Sequence, residues 1–263
     1  MIEKSLTGNS LQVLGCSGGV GDGRLTTSLR LGGSLLIDAG TGLGSLSAQD
    51  MAEVDHVVLT HSHQDHIALL PLLLERVYLV RRQPITLYGR AETLDALRQH
   101  IFNWKIYPDF STLALFENKE KFLIRYRELK EHEPMEIAGW RIHGVSMDHT
   151  VPVFAYVFEK ADIRFAFTGD TRSLANLAGE KPLTRLICEV SYPDSLEELA
   201  QISGHMTPAM LKRDLALFSH RPRLWISHFK PDYAEELGRV LAPLVEESGG
   251  TILESGKTYA LDV

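Results

Sequence analysis

The sequence has little cysteine and no long uninterrupted apolar run. Its 263 residues include only Cys16 and Cys188, which are too few for a disulfide framework and favour a reducing compartment. The longest apolar stretch, IALLPLLL, contains Pro71 and soon meets Glu75 and Arg76, so it is too short for a membrane helix. The N-terminal residues lack the apolar core of a signal peptide. We therefore expect a cytoplasmic protein without a membrane partner.

The sequence also lacks an excess of positive charge, and it lacks a segment with the composition of an interdomain linker. The chain has 27 Lys and Arg against 34 Asp and Glu, a formal net charge of -7. Phosphate-backbone binders usually present a basic face, so nucleic acid is disfavoured and a small substrate is the better expectation. No Gly-, Ser- or Pro-rich tract marks a domain boundary. With 44% hydrophobic residues, one domain over residues 1–263 is expected.

Hydrophobic periodicity and turn residues predict many short strands and four helices. The predicted helices cover residues 66–82, 91–102, 207–219 and 232–247, with Thr207 as N-cap of the third. The predicted strands cover residues 11–15, 28–40, 55–60, 85–89, 121–129, 135–147, 153–159, 164–169, 185–190, 223–228 and 251–261. Strand-rich blocks separated by helices favour an α/β fold with two sheets face to face and helices outside, an αββα sandwich.

Four of the apolar strands end in or near a histidine or an aspartate. DHVVLT is followed by His61, and WRIHGVSM by His149. RFAFTG ends at Asp170, and RLWIS ends at His228. Because ligands gather where strand ends open onto loops, we expect these side chains to share one edge of the molecule.

The densest group of titratable residues is His61-Ser-His63-Gln-Asp65-His66. In an extended segment alternate side chains point the same way, so His61 and His63 can grip one metal ion. Asp65 and His66 follow in a turn into a helix and can hold a second ion. Imidazole and carboxylate suit zinc, with manganese or iron as alternatives. The isolated histidines are interpreted as ordinary surface or core residues: His56, His100, His132, His143 and His220.

This pattern resembles the metallo-β-lactamase superfamily over residues 11 to 263, with Asp38 of IDAG matching that family's upstream aspartate. The resemblance implies the αββα sandwich and a dinuclear metal centre. It also implies the ligands. One metal would be held by His61, His63 and His149, the other by Asp65, His66 and His228, with Asp170 and a water or hydroxide as bridges.

Finer segments resemble the class II 3′,5′-cyclic nucleotide phosphodiesterases of this superfamily. They are IDAGTGLGSL (37–46), IFNWKIYPDF (101–110), EVSYPD (189–194), SGHMTP (203–208) and ISHFKP (226–231). The resemblance implies that a metal-bridged hydroxide hydrolyses a cyclic nucleotide. It implies His205 and Asp65 as catalytic groups, and His205, Thr207 and Asn103 as substrate contacts. A homodimer is implied by analogy alone.

Two other readings stay open within the superfamily. His205 and Thr207 also resemble the H-x-T element of tRNase Z, although a Gly/Pro-rich basic arm is not evident. Glyoxalase II-like thioesterases keep all the ligands. A non-catalytic binding protein is the third hypothesis, weakened by suitable residues at all seven ligand positions. Gln64 and Arg172 depart from the family's usual residues; neither is a predicted ligand, so they bear on substrate choice.

Overall fold

The computed structural model describes residues 8–262, which form two sheets and eight α-helices. The strands are β1 Ser10–Gly15, β2 Ser28–Leu31, β3 Leu35–Ile37, β4 His56–Val58, β5 Ile85–Gly89, β6 Ile124–Glu128, β7 Met135–Ile137, β8 Trp140–Met147, β9 Val153–Lys160, β10 Ile163–Phe167, β11 Arg185–Glu189, β12 Arg223–Ser227, β13 Thr251–Ile252 and β14 Thr258–Ala260. The helices are α1 Ala48–Ala52, α2 Gln64–Ile67, α3 Leu70–Val77, α4 Ala91–Ala96, α5 Ala175–Ala178, α6 Glu197–Ser203, α7 Pro208–Leu215 and α8 Ala234–Glu247.

The two seven-stranded sheets share one plan. The first has the order β14-β1-β2-β3-β4-β5-β6, and the second has the order β13-β12-β11-β10-β9-β8-β7. Strands β3 to β6 and strands β10 to β13 pair in parallel, while the other half of each sheet is antiparallel. Parallel strands deliver their carboxyl ends to the same edge, so each sheet gathers several loops there.

Three apolar layers hold these elements together. Between the sheets, buried aromatic rings pack closely, with Phe165 stacked 4.7 Å from Phe158 and Trp140 edge-on to Phe165 at 5.6 Å. Outside the first sheet the buried face of α3, including Leu70, completes a second layer. Outside the second sheet α7 and α8 cover the third, which includes Leu237. Two sheets enclosed by helices confirm the predicted αββα sandwich.

The sheets are also hydrogen-bonded to each other where β4 ends. The Tyr156 hydroxyl on β9 donates to the carbonyl oxygen of Leu59 at 2.8 Å, and the Phe154 amide donates to the Thr60 carbonyl at 3.1 Å. Tyr156 is fully buried. These bonds fix the end of a first-sheet strand against the second sheet, directly before His61.

Three predicted strands are wrong because each is interrupted in the structure. The interruptions fall at residues whose backbone has a positive φ. The prediction over 28–40 is a hairpin, β2 and β3, that turns at Gly32 with φ of 60°. The prediction over 135–147 turns at Ala138 and Gly139, with φ of 51° and 77°. The prediction over 251–261 divides near Gly256 into β13 and β14, which belong to different sheets.

The helix predictions are closer to the structure. Thr207 is confirmed as the N-cap of α7, since its hydroxyl accepts a hydrogen bond from the Met210 amide. The helix predicted over 66–82 is two helices, α2 and α3, with Pro71 in the first turn of the second. Helices α1, α5 and α6 were not predicted. Among residues 8–262, no helix has the length and apolar character to cross a bilayer. A single domain stays a prediction.

We expect Tyr156→Phe to lower the free energy of unfolding by about 1–3 kcal/mol, because the buried Leu59 carbonyl would lose its donor. Urea denaturation measures this change. Tyr107→Phe is the matched control, because the Tyr107 hydroxyl has no hydrogen-bond partner among the described residues. Equal stability of the two variants would contradict a role for the bond between the sheets.

Candidate metal centre

The opening motif of the cluster folds as its sequence predicts. After β4 the chain stays extended to His63, which is the N-cap residue of α2 with φ of -65° and ψ of 147°. His61 is fully buried and His63 half-buried. Asp65 and His66 lie within the short helix that follows. The motif therefore presents one pair of side chains from an extended segment and a second pair from a helical turn.

The structure brings all seven predicted ligands together in two groups. Within each group the potential ligand atoms lie within 4.8 Å of one another. The groups are His61, His63, His149 and Asp170, and Asp65, His66, Asp170 and His228. Asp170 belongs to both, as the predicted bridge requires. That these residues hold metal ions stays a prediction.

Unpartnered buried atoms show that this donor set fits a cation. His61 Nε2 and Asp170 Oδ1 are buried and have no hydrogen-bond partner. Asp170 Oδ1 lies 3.2 Å from Nε2 of both His66 and His228 without hydrogen-bond geometry. A buried polar atom without a partner costs about 1–3 kcal/mol. A divalent ion among these atoms would satisfy them.

Asp38, which directly follows β3, orients two of the imidazoles. Its carboxylate accepts a hydrogen bond from His66 Nδ1 at 2.7 Å and another from the Thr60 hydroxyl at 2.8 Å. Because the Thr60 hydroxyl donates its proton to Asp38, its oxygen can only accept a hydrogen bond from His61 Nδ1, at 3.0 Å. Both imidazoles are thereby held as the Nδ1–H tautomer, with the Nε2 lone pair towards the cluster.

Glu189, the last residue of β11, orients imidazoles of the second sheet as Asp38 does for the first. Its Oε1 accepts from His205 Nδ1 at 2.8 Å and from the Thr171 amide, and its Oε2 accepts from the Ser191 hydroxyl at 2.7 Å. Ser191 in turn accepts from His228 Nδ1 at 3.1 Å. His228 is therefore also held with its Nε2 lone pair facing the cluster.

His149 is fixed by backbone rather than by a carboxylate. Its Nδ1 donates to the carbonyl oxygen of Gly204 at 2.7 Å, so its Nε2 also faces inward, 3.2 Å from His63 Nδ1. Gly204 ends α6 with φ of 80°, and a Cβ there would lie 2.5 Å from His149 Nδ1. Only glycine fits both that backbone conformation and that close approach.

Burial and charge set the protonation states of the cluster, and three of its imidazoles are favoured in the neutral form that metal ligands need. Burial lowers the pKa of His61, His63 and His149, which favours neutral imidazoles. Burial opposes ionisation of Asp170, but the neighbouring imidazoles of His228 and His66 hold its pKa well below the usual range. Burial alone would lower the pKa of His66, but the carboxylates of Asp170 and Asp38 raise it well above its ordinary value, so His66 would release a proton when a metal ion binds. An environment so rich in inward-facing lone pairs and carboxylate charge favours a divalent cation.

His205 lies at the border of the cluster. Its ring is 5.4 Å from that of His228 and 5.2 Å from that of His149, and its Nδ1 is 4.0 Å from Asp170 Oδ2. Burial alone would lower its pKa, but the carboxylate of Glu189 raises it. His205 therefore combines a fixed position beside the predicted ligands with a bias towards the protonated form.

The other two predicted substrate contacts have local roles. Thr207 is fully buried and caps α7. The Asn103 side chain closes its own turn, since its Oδ1 accepts from the Lys105 and Ile106 amides and its Nδ2 donates to the Gln99 carbonyl. Their contact with substrate stays a prediction.

Sequence reasoning missed the residues that orient the ligands. No sequence motif marks Thr60, Glu189 or Ser191 as a site residue, and Asp38 is indicated only by its match to the family's upstream aspartate. Glu189 carried a usable signal, because a charged residue ends the apolar strand RLICE just as other strands lead to His61 and Asp170. Its partners lie 16 and 2 residues away in sequence.

A sandwich of this kind, with histidines and carboxylates gathered at the strand ends, defines a hydrolase of the metallo-β-lactamase fold, and that fold implies divalent metal ions. A family model described as "Beta-lactamase superfamily domain" matches residues 34–229. The chain belongs to this family.

Similar proteins include some named as cyclic-nucleotide phosphodiesterases and some named as ribonuclease Z. A "Probable 3',5'-cyclic-nucleotide phosphodiesterase" of Yersinia pestis is 25% identical over 277 residues, covering 84% of this chain and 78% of that protein. A "Ribonuclease Z" of Clostridium kluyveri is 30% identical over 152 residues, covering 55% of this chain and 46% of that protein. The crystal structure of unliganded yeast PDE1 shares the fold, with a TM-score of 0.75, 18% identity and coverage of 96% and 99% of the two chains.

We expect Asp38→Asn to weaken zinc binding about 10- to 100-fold, a typical effect of losing the acceptor behind a ligating imidazole. The amide can no longer offer two acceptor oxygens to His66 and Thr60. Competition with a chromophoric chelator measures the affinity. Asp162→Asn, in an exposed turn, is the matched control. Wild-type affinity in Asp38→Asn would contradict the orienting role.

Proposed function

We propose that this protein is a metal-dependent 3′,5′-cyclic nucleotide phosphodiesterase. The observation that carries the proposal is the alignment with the Yersinia pestis phosphodiesterase, which spans most of both chains. The net charge of -7 supports a small substrate. Zinc as the native metal, a cytoplasmic location and a homodimer stay predictions.

The ligand arrangement supplies a reaction centre for such a substrate. The residues in the two groups would hold two divalent ions, which supply Lewis-acid charge and lower the pKa of water towards about 7. Asp38 and Glu189 keep three of the ligand imidazoles in the tautomer that binding needs. The ligands are thus organised before substrate arrives, so little reorganisation is left for the reaction.

Two further side chains are assigned to proton transfer. Asp65 is the more accessible carboxylate of the cluster, with 26% of its side chain exposed against 2% for Asp170. It accepts a proton from the attacking water. His205 has its Nδ1 bound to Glu189, while its Nε2 has no hydrogen-bond partner among the described residues. As a cation, His205 neutralises the phosphate or donates Nε2–H to the leaving ribose oxygen.

An RNA-processing endonuclease is the second candidate, favoured by the ribonuclease Z relatives. The Clostridium kluyveri protein has a higher sequence identity than the Yersinia pestis phosphodiesterase, but its alignment covers about half of this chain. The same site chemistry serves an RNA phosphodiester, so only substrate choice separates the two functions.

A direct comparison of substrates tests the proposal. The purified protein, supplied with zinc or manganese, is assayed with cAMP, cGMP, a pre-tRNA and S-lactoylglutathione. We expect hydrolysis of a cyclic nucleotide to the 5′-monophosphate, and little cleavage of the other two. Cleavage of pre-tRNA or of the thioester without hydrolysis of either cyclic nucleotide would overturn the proposal.

We expect His205→Ala to lower turnover about 10²- to 10⁴-fold, the usual contribution of a positioned general acid. Bound metal, counted by mass spectrometry, should be unchanged because His205 is outside the two ligand groups. His220→Ala, which changes a half-buried histidine remote from these groups, should retain turnover. Normal turnover by His205→Ala would exclude the proton-donor role.

A further inference from the structure

A second cluster of metal-ligating side chains lies on the outer face of the second sheet. His132 is in the connection between β6 and β7, His143 is on β8, and Glu180 follows α5. Along β8, Ile142 belongs to the layer between the sheets, whereas Val145 belongs to the outer layer. By alternation His143 faces outward. Four strand residues, about 13 Å, separate it from the end of β8 that leads to the metal centre.

The three side chains converge on one carboxylate oxygen. Glu180 Oε1 accepts a hydrogen bond from His143 Nε2 at 3.2 Å and lies 3.5 Å from His132 Nδ1. One ligand atom from each of the three side chains lies within 4.8 Å of the others. A zinc ion would replace the proton that His143 donates. Zinc bonds of about 2.0–2.1 Å in a tetrahedron place neighbouring ligand atoms about 3.3–3.4 Å apart. The two distances from Glu180 Oε1 are close to those between neighbouring ligand atoms in a zinc site.

The side chains around the cluster carry a net negative charge, which favours a bound cation. Arg164 donates to Glu180 Oε2 at 2.6 Å and also pairs with Glu159, so Oε1 of Glu180 stays directed at the two imidazoles. Glu131 adds a third carboxylate, 3.9 Å from His132 Nε2. Arg141 also lies 4.0 Å from Glu159. With neutral imidazoles, the three carboxylates and two guanidinium groups carry a net charge of -1, which favours a cation.

The backbone at His132 keeps this arrangement in place while leaving it accessible. His132 has φ of 56°, a region that non-glycine residues enter at a cost, and its amide donates to the Gly144 carbonyl at 2.9 Å. The His132 side chain is 61% exposed, against 11% for His143 and 12% for Glu180. An ion can therefore reach two largely buried ligands past one exposed imidazole.

We propose that His132, His143 and Glu180 form a second, separate zinc site, with water as the fourth ligand. The ion would join the connection before β7 to the segment after α5. This assigns His132 and His143 a shared role, where the sequence indicated two ordinary histidines. The proposal does not depend on the substrate of the metal centre.

Counting bound ions tests this site. Wild-type protein and His132→Ala are stripped with a chelator, dialysed against micromolar Zn²⁺ and analysed by mass spectrometry for zinc per chain. We expect His132→Ala to bind one ion fewer and to lose the part of the zinc-dependent rise in Tm that this ion contributes. The hydrolase activity of the variant should match that of wild type, because His132 is outside the metal centre.

His100→Ala is the matched control, since it removes another exposed histidine without touching the cluster. It should bind as much zinc as the wild type. His132→Gln provides a second test, because it keeps a polar side chain but supplies no imidazole nitrogen, and it should also lose one ion. Equal zinc content in wild type and both His132 variants would overturn the site and leave only an ion-pair cluster.

Discussion

The candidate metal centre depends on hydrogen bonds between buried carboxylates and imidazoles. Asp38 binds His66 directly and His61 through Thr60. Glu189 binds His205 directly and His228 through Ser191. Each bond occupies a ring Nδ1, and for the three predicted ligands it leaves an Nε2 lone pair for the cluster. Without these partners the imidazoles would be free to rotate or change tautomer, and the lone pairs would not converge.

The fold explains why the two carboxylates lie where they do. Each stands at the carboxyl end of a strand within the parallel half of its sheet, Asp38 after β3 and Glu189 at the end of β11. The neighbouring parallel strands β4 and β12 lead to His61 and His228. Because parallel neighbours end at the same edge, a carboxylate on one strand can reach an imidazole that follows the next. The hydrogen bonds from Tyr156 and Phe154 then fix the two sheets together at this edge.

Much of this centre could be predicted from the sequence because its signals are local. Alternation explains His61 and His63, and the helix that follows explains Asp65 and His66. The residues that orient them could not be predicted as easily. Glu189 reads as the polar end of a buried strand, and its pairing with His205 depends on how α6 returns to β11. The divided strands have a similar cause, because a turn such as that at Gly256 decides which sheet the chain joins next.

The same distinction applies to His132 and His143. Each is unremarkable beside its sequence neighbours, and only the fold places both beside Glu180. A lone histidine in a sequence therefore says little about metal binding, whereas a cluster within one short segment says much. The superfamily follows from the dense motif, and the substrate depends on residues such as His205 that surround it.

Nitrogen-15 NMR of the histidine side chains in the zinc-loaded protein tests the orienting role of the two carboxylates most directly. Long-range ¹H–¹⁵N correlation spectra distinguish a protonated Nδ1 from a protonated Nε2 in each ring. The account predicts that His61, His66 and His228 carry their proton on Nδ1 and bind zinc through Nε2. Protonated Nε2 atoms in these three rings would contradict it.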